Sequence, residues 1–137
     1  MYYPEINELA ASILGDNILL DSLKGLTLRQ PALICTDDRW FLFSNSNEKD
    51  LSLKISYFFQ FTTIPFLNSL TDVNSYLKLY ETKDKRLLMD DRQHLYFACA
   101  YALKGDYKKG YDLLEKRFGK ASRRMYTKLF KYFEQYL

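Results

Sequence analysis

Histidine is nearly missing from this chain, since His94 is the only one. Asp90 and Asp91 precede it by four and three residues, so one carboxylate could share a helix face with the imidazole. Two ligands do not make a zinc site, and no H-E-x-x-H pattern or Cys/His cluster completes one. His94 therefore reads as a solvated or helix-packing imidazole. Cysteine is scarce as well: Cys35 and Cys99 lie far apart and form no C-x-x-C pair, which argues against a disulfide scaffold and for two buried thiols in a reducing, cytoplasmic setting. Five glycines and three prolines stand mostly where elements break. Neither a G-x-x-x-x-G-K-[ST] loop nor a G-x-S-x-G elbow occurs, so phosphate cradling by a glycine-rich loop and hydrolase chemistry of the elbow type have no linear signature. No cofactor and no metal is expected. Apolar runs such as Leu95 to Leu103 fall far short of the roughly 20 residues that span a bilayer, so membrane insertion is not expected either. The opening Met-Tyr-Tyr-Pro-Glu has neither the basic nor the apolar region of a signal peptide.

What the chain does have is apolar and aromatic material. Of its 137 residues 47% are hydrophobic, and twelve tyrosines, ten phenylalanines and one tryptophan make 17% aromatic. That is enough to build a core without staples, and one domain over 1–137 is the default expectation. Its expected parts are a mixed helix and antiparallel-sheet region, 1–89, and a basic three-helix region, 90–137.

Ile6, Leu9, Ala10, Ile13 and Leu14 recur at helical spacing before Gly15, predicting a short amphipathic helix over 5–14. The stretch to Leu28 is apolar without a period. Ala32 to Thr36 and Arg39 to Ser44 are β-leaning runs around Asp37-Asp38, a pair suited to a hairpin turn. Leu51, Leu53, Ile55, Tyr57, Phe59 and Phe61 then alternate with mostly polar residues, the period of a half-buried strand that Pro65 would end. Val73, Tyr76, Leu77 and Tyr80 predict a helix over 72–81 capped by Thr71 or Asp72. Leu87-Leu88-Met89 reads either as a short strand or as packing at the entry to the next helix. Asp90 with Gln93 fits a capping box before the nearly all-apolar 95–103, expected to be the most buried helix. Breaks at Gly105-Asp106 and Gly119 imply two more helices, with stripes Tyr107, Tyr111, Leu114, Phe118 and Met125, Tyr126, Leu129, Phe130, Phe133, Leu137. The fold class expected is α+β: a small antiparallel sheet of about three strands packed with helices, followed by the C-terminal three-helix segment.

Ala98 and Tyr101, the turn Gly105-Asp106-Tyr107, then Gly110 and Leu114, stand at the small, aromatic, turn, close-contact and large apolar positions of a helical hairpin that resembles the tetratricopeptide type. The resemblance covers residues 94–118 in a single copy, with Arg117 and Ser122 where that family usually has a small residue and a proline. It implies a protein-interaction role.

The formal net charge of +3 hides a division. Residues 1–103 carry ten basic and thirteen acidic groups, whereas residues 104–137 carry ten basic and four acidic groups. Such polarity can steer a partner to one end or let two copies meet head to tail. Arg124, Lys128 and Lys131 fall at i, i+4 and i+7, with Arg123 beside them. The expected activity is non-enzymatic binding of an acidic protein, as adaptor, inhibitor or accessory factor, through Arg123, Arg124, Lys128, Lys131, Tyr132 and Tyr136. Two alternatives stay open: a nucleic-acid-binding regulator using the same basic helix, and a small enzyme with carboxylates assembled in space.

Overall fold

The computed structural model describes residues 3–15, 48–87, 89–120 and 122–137, and every regular element among them is a helix. Helix α1 (Pro4–Leu14) opens on a proline, whose missing N–H is harmless in a first turn that has no intrahelical acceptors. It closes at Gly15, left-handed at φ 72°, whose N–H returns to the Ala11 carbonyl. Next come α2 (Glu48–Phe58), a π-helical turn (Phe59–Thr63), α3 (Ile64–Asn68) and α4 (Val73–Glu81). Helices α5 (Asp91–Leu103) and α6 (Tyr107–Phe118) precede a 3-10 turn (Arg123–Tyr126) and the last helix, α7 (Thr127–Glu134).

The α+β expectation is thereby corrected, because no strand occurs among the described residues. Its most explicit strand, 51–62, is helical. Ile55, Phe58 and Thr62 form a helical series that cuts across the alternation, and a helix closes its own backbone hydrogen bonds whereas a strand needs a neighbour. Ile55, Phe58 and Thr62 are the half-buried members of the helix, while Leu53 and Phe61, which alternation would have covered, are 58% and 65% exposed. An Asp50–Lys54 pair at 3.5 Å, one helical turn apart, gives further local support. Pro65 does not end the segment. Its ring would crowd the carbonyl four residues back in a regular α-helix, and the wide turn just before it, in which the Ile64 N–H bonds to the Phe59 carbonyl, relieves that crowding. The hairpin expected at 32–44, the stretch to Leu28 and Cys35 lie outside the described residues.

The other helix boundaries follow local chemistry. Asp72 caps α4 with a reciprocal Asp72–Ser75 box. The Asp90 carboxylate accepts the Gln93 N–H at 2.8 Å, and Asp106 accepts that of Lys109 at 3.2 Å. Between α5 and α6 the chain makes a complete Schellman turn: Gly105, at φ 76°, donates to Ala102 and Asp106 donates to Tyr101, each at 2.9 Å. No strand forms at Leu87 and Met89; Leu87 is buried where the chain enters α5.

Two compact units divide the chain, Met1–Arg29 with Leu87–Leu137, and Gln30–Arg86. In the first of them α1 packs on α5 and α7. In the first unit α5 is the centre. Leu95 through Ala102 are all buried, so this helix is apolar all round rather than along one stripe. Its neighbour α6 approaches closely at Gly110, where an added methyl would overlap the Phe133 ring and sit 3.1 Å from the Ala98 carbonyl. The helical hairpin expected over 94–118 is present. Leu129, Phe130 and Phe133 bury the inner face of α7, whereas Met125 and Leu137, expected beside them, are 78% and 60% exposed because Met125 belongs to the 3-10 turn and Leu137 lies beyond the helix end. In the second unit Phe66, Leu70, Tyr76, Leu77 and Leu79 are buried, with the Arg86 guanidinium 4.4 Å from the Phe66 ring centre.

Candidate functional site

The six residues expected to meet a partner do not form one uniform surface. Arg123 is engaged inside the first unit: its guanidinium pairs with Glu115 of α6 and Glu134 of α7, reaches the Tyr111 hydroxyl at 3.3 Å, and lies 4.2 Å over the Phe130 ring. It fastens the 3-10 turn to both helices. Arg124 is exposed but belongs to that turn, so the spacing of Arg124, Lys128 and Lys131 does not run along one α-helix. Tyr132 and Tyr136 belong to an aromatic cluster with Tyr107, in which the Tyr107 and Tyr136 rings stack at 4.3 Å. Burial, then the neighbouring Tyr107, Tyr136 and Cys99, pushes the Tyr132 hydroxyl above its ordinary value, which leaves it a neutral donor near neutral pH.

Lys128, Lys131 and Tyr132 come together with Ser12 and Ile13 of α1 and with Gln135, lining a shallow groove of about 280 Å³. Lys128 donates to the Leu14 carbonyl at 3.1 Å, so an ammonium from α7 closes the carbonyl end of α1. An ammonium carries three donors, and two remain for another acceptor. Lys131 has no carboxylate partner among the described residues. Among the described residues no carboxylate lines the groove. It brings together two cations, a phenol, a hydroxyl and an amide beside the apolar Ile13. Sequence spacing picked out the α7 side of this cleft. It missed Ser12, Ile13 and Gln135, and no local signal on α1 could have linked that helix to one more than a hundred residues away.

The chain matches no family model, no curated protein and no solved structure. Its reading rests on the geometry.

The residues considered for chemistry have structural attachments instead. The His94 Nδ1 faces the Asp90 carbonyl at 2.7 Å, and its ring meets Phe118 edge to face. Arg117 holds Asp91 at 2.7 Å, joining α6 to α5, and the Asp90 carboxylate caps α5. Cys99 is fully buried, and burial pushes its thiol up to about 12, so it is an unreactive packing group. Among the described residues no cluster of three His, Cys, Asp or Glu side chains could hold a metal, and no helix is long and apolar enough to cross a membrane.

Proposed function

We propose that this protein is a non-enzymatic interaction module that captures an acidic partner protein in the cleft between α1 and α7. One observation carries the reading: Lys128 and Lys131 converge with the Tyr132 hydroxyl on a concave surface where, among the described residues, no carboxylate stands. A glutamate or aspartate side chain entering there would accept from the ammonium hydrogens left by Lys128, from Lys131 and from the phenol, while its methylene groups rest on Ile13. Arg124 and the exposed face of Tyr136 would meet the rim. The tetratricopeptide-like pairing of Ala98 with Gly110 adds weight to a protein partner, as adaptor, inhibitor or accessory factor. A nucleic acid is less well served. Arg117, Arg123, Lys108 and Lys109 are already paired with acids of this unit, which leaves a short cationic patch rather than a stripe along a phosphate backbone.

A fluorescein-labelled peptide rich in aspartate and glutamate tests this in anisotropy titrations at low and moderate salt. The wild type should bind it, and Lys131→Glu should weaken binding about tenfold or more by placing like charges together. Unchanged binding by Lys131→Glu would overturn the reading. So would tighter binding of random duplex or single-stranded oligonucleotides than of the peptide.

A further inference from the structure

Six of the ten large apolar side chains exposed among the described residues fall between Leu53 and Leu67. Five of them, Leu53, Tyr57, Phe61, Ile64 and Leu67, follow one another at four, four, three and three residues, so they run down one side of α2, the π-turn and α3. Their exposures are 58, 60, 65, 50 and 40%. Tyr57 and Phe61 already stack on each other at 5.7 Å, which fixes two rings in place before any partner arrives. No charged residue occurs from Ile55 to Thr71, although 27% of the chain is charged. From Ile55 on, the polar side chains between the apolar ones are Ser56, Gln60, Thr62 and Thr63, neutral groups that exchange hydrogen bonds without setting a sign, and Lys54, beside Leu53, is paired with Asp50 at 3.5 Å.

We infer that this stripe is a self-association surface, on which a second copy of the chain docks its own stripe across a twofold axis. A face with no charge is compatible with itself, whereas an acidic or basic partner would find nothing there to pair with. An anionic lipid surface would call for several lysines or arginines flanking the apolar face, and the one cation from Leu53 to Leu67, Lys54, is already paired with Asp50. The area agrees with a second copy. The five side chains expose on the order of 500 Å², so two copies would remove on the order of 1,000 Å² from water, the threshold for a specific but reversible interface. The π-turn lets the helical path run on past Pro65, so that Ile64 and Leu67 follow Phe61 along the chain without a break between the two helices.

Sedimentation velocity of the full chain, from about one to several hundred micromolar, reads the proposal directly. The average mass should climb from 16.3 kDa toward twice that value, and high salt should leave the rise unchanged or sharpen it. Phe61→Glu and Phe61→Lys should each stay at 16.3 kDa with unaltered helical circular dichroism, since the side chain is mostly outside. Mixing the two variants should restore the heavier species by pairing the new charges. A wild type that remains monomeric throughout overturns the inference, whether residues 53–67 prove protected from hydrogen exchange by this chain's own segments or sediment with neutral lipid vesicles. A dimer that dissolves in salt overturns it too, because it would be held by the charge division, and so does a dimer indifferent to Phe61→Glu.

Discussion

The unit built from α1 and α5 to α7 and the one containing α2 to α4 cover their aromatic side chains to different extents. In the first, Tyr96, Phe97, Phe118, Phe130 and Phe133 are at most 2% exposed, and ion pairs from Arg117 and Arg123 tie separate helices together. In the second, Tyr57, Phe59 and Phe61 are at least half exposed, and the ion pairs Asp50–Lys54 and Asp84–Arg86 join residues only four and two positions apart. Long-range closure marks the first unit as a scaffold that holds a cleft. In the second, the pairs Asp50–Lys54 and Asp84–Arg86 are local, and the aromatic face from Tyr57 to Phe61 is uncovered.

A matched pair of truncations tests that contrast with the largest expected effect. Phe133 is fully buried under Gly110 and meets the Tyr107 ring edge to face, so Phe133→Ala should destabilise by about 3–5 kcal/mol. The same truncation at Phe61 should fall within about 0.5 kcal/mol in urea melts, run dilute enough that no association contributes. Equal losses at the two positions would mean that the rings are equally covered, and the distinction between scaffold and surface would fail.

Next in size is Gly110→Ala. Alanine in a helix interior normally gains about 0.5–1 kcal/mol over glycine. Here the methyl would overlap the Phe133 ring beside the Ala98 carbonyl, so the sign should reverse to a loss of about 1–3 kcal/mol. A stabilised variant would show that α6 and α7 stand further apart than the structure has them. The same substitution bears on the cleft: α7 carries Lys128 and Lys131, so displacing Phe133 should also weaken capture of the acidic peptide.

Legibility from sequence divides along the range of the interactions. Gly15, Asp72, Asp90, Gly105 and Asp106 end or begin helices through bonds to residues at most five positions away, and each was readable from its neighbours. Residues 51–62 carry a pattern that satisfies two periods over a short span, and alternation alone could not choose between them. For the site, Lys128, Lys131 and Tyr132 were visible as a polar-aromatic face, but the role of Arg123 was not. Its partners Glu115 and Glu134 lie eight and eleven residues away on two different helices, and no spacing rule encodes a clamp assembled only when those helices pack.

The smallest expected effect asks whether local devices act alike in both units. Asp72 caps α4 in one and Asp106 caps α6 in the other, and replacing either by alanine should cost about 1 kcal/mol. For Asp106 the pH dependence supplies a second reading. The Lys109 ammonium, followed by the Lys109 backbone N–H, holds its carboxyl below the ordinary 3.8, so the charged form is favoured by folding. A depressed carboxylate contributes its full share above the ordinary value and loses it as pH falls through the lower, folded one. The gap in melting temperature between wild type and Asp106→Ala should therefore hold steady from about pH 5 to 8 and close in stronger acid. A gap that persists there would assign the effect to side-chain packing rather than to the capping charge. The aspartate would then have marked the helix start in the sequence for a reason other than the one that makes it hold.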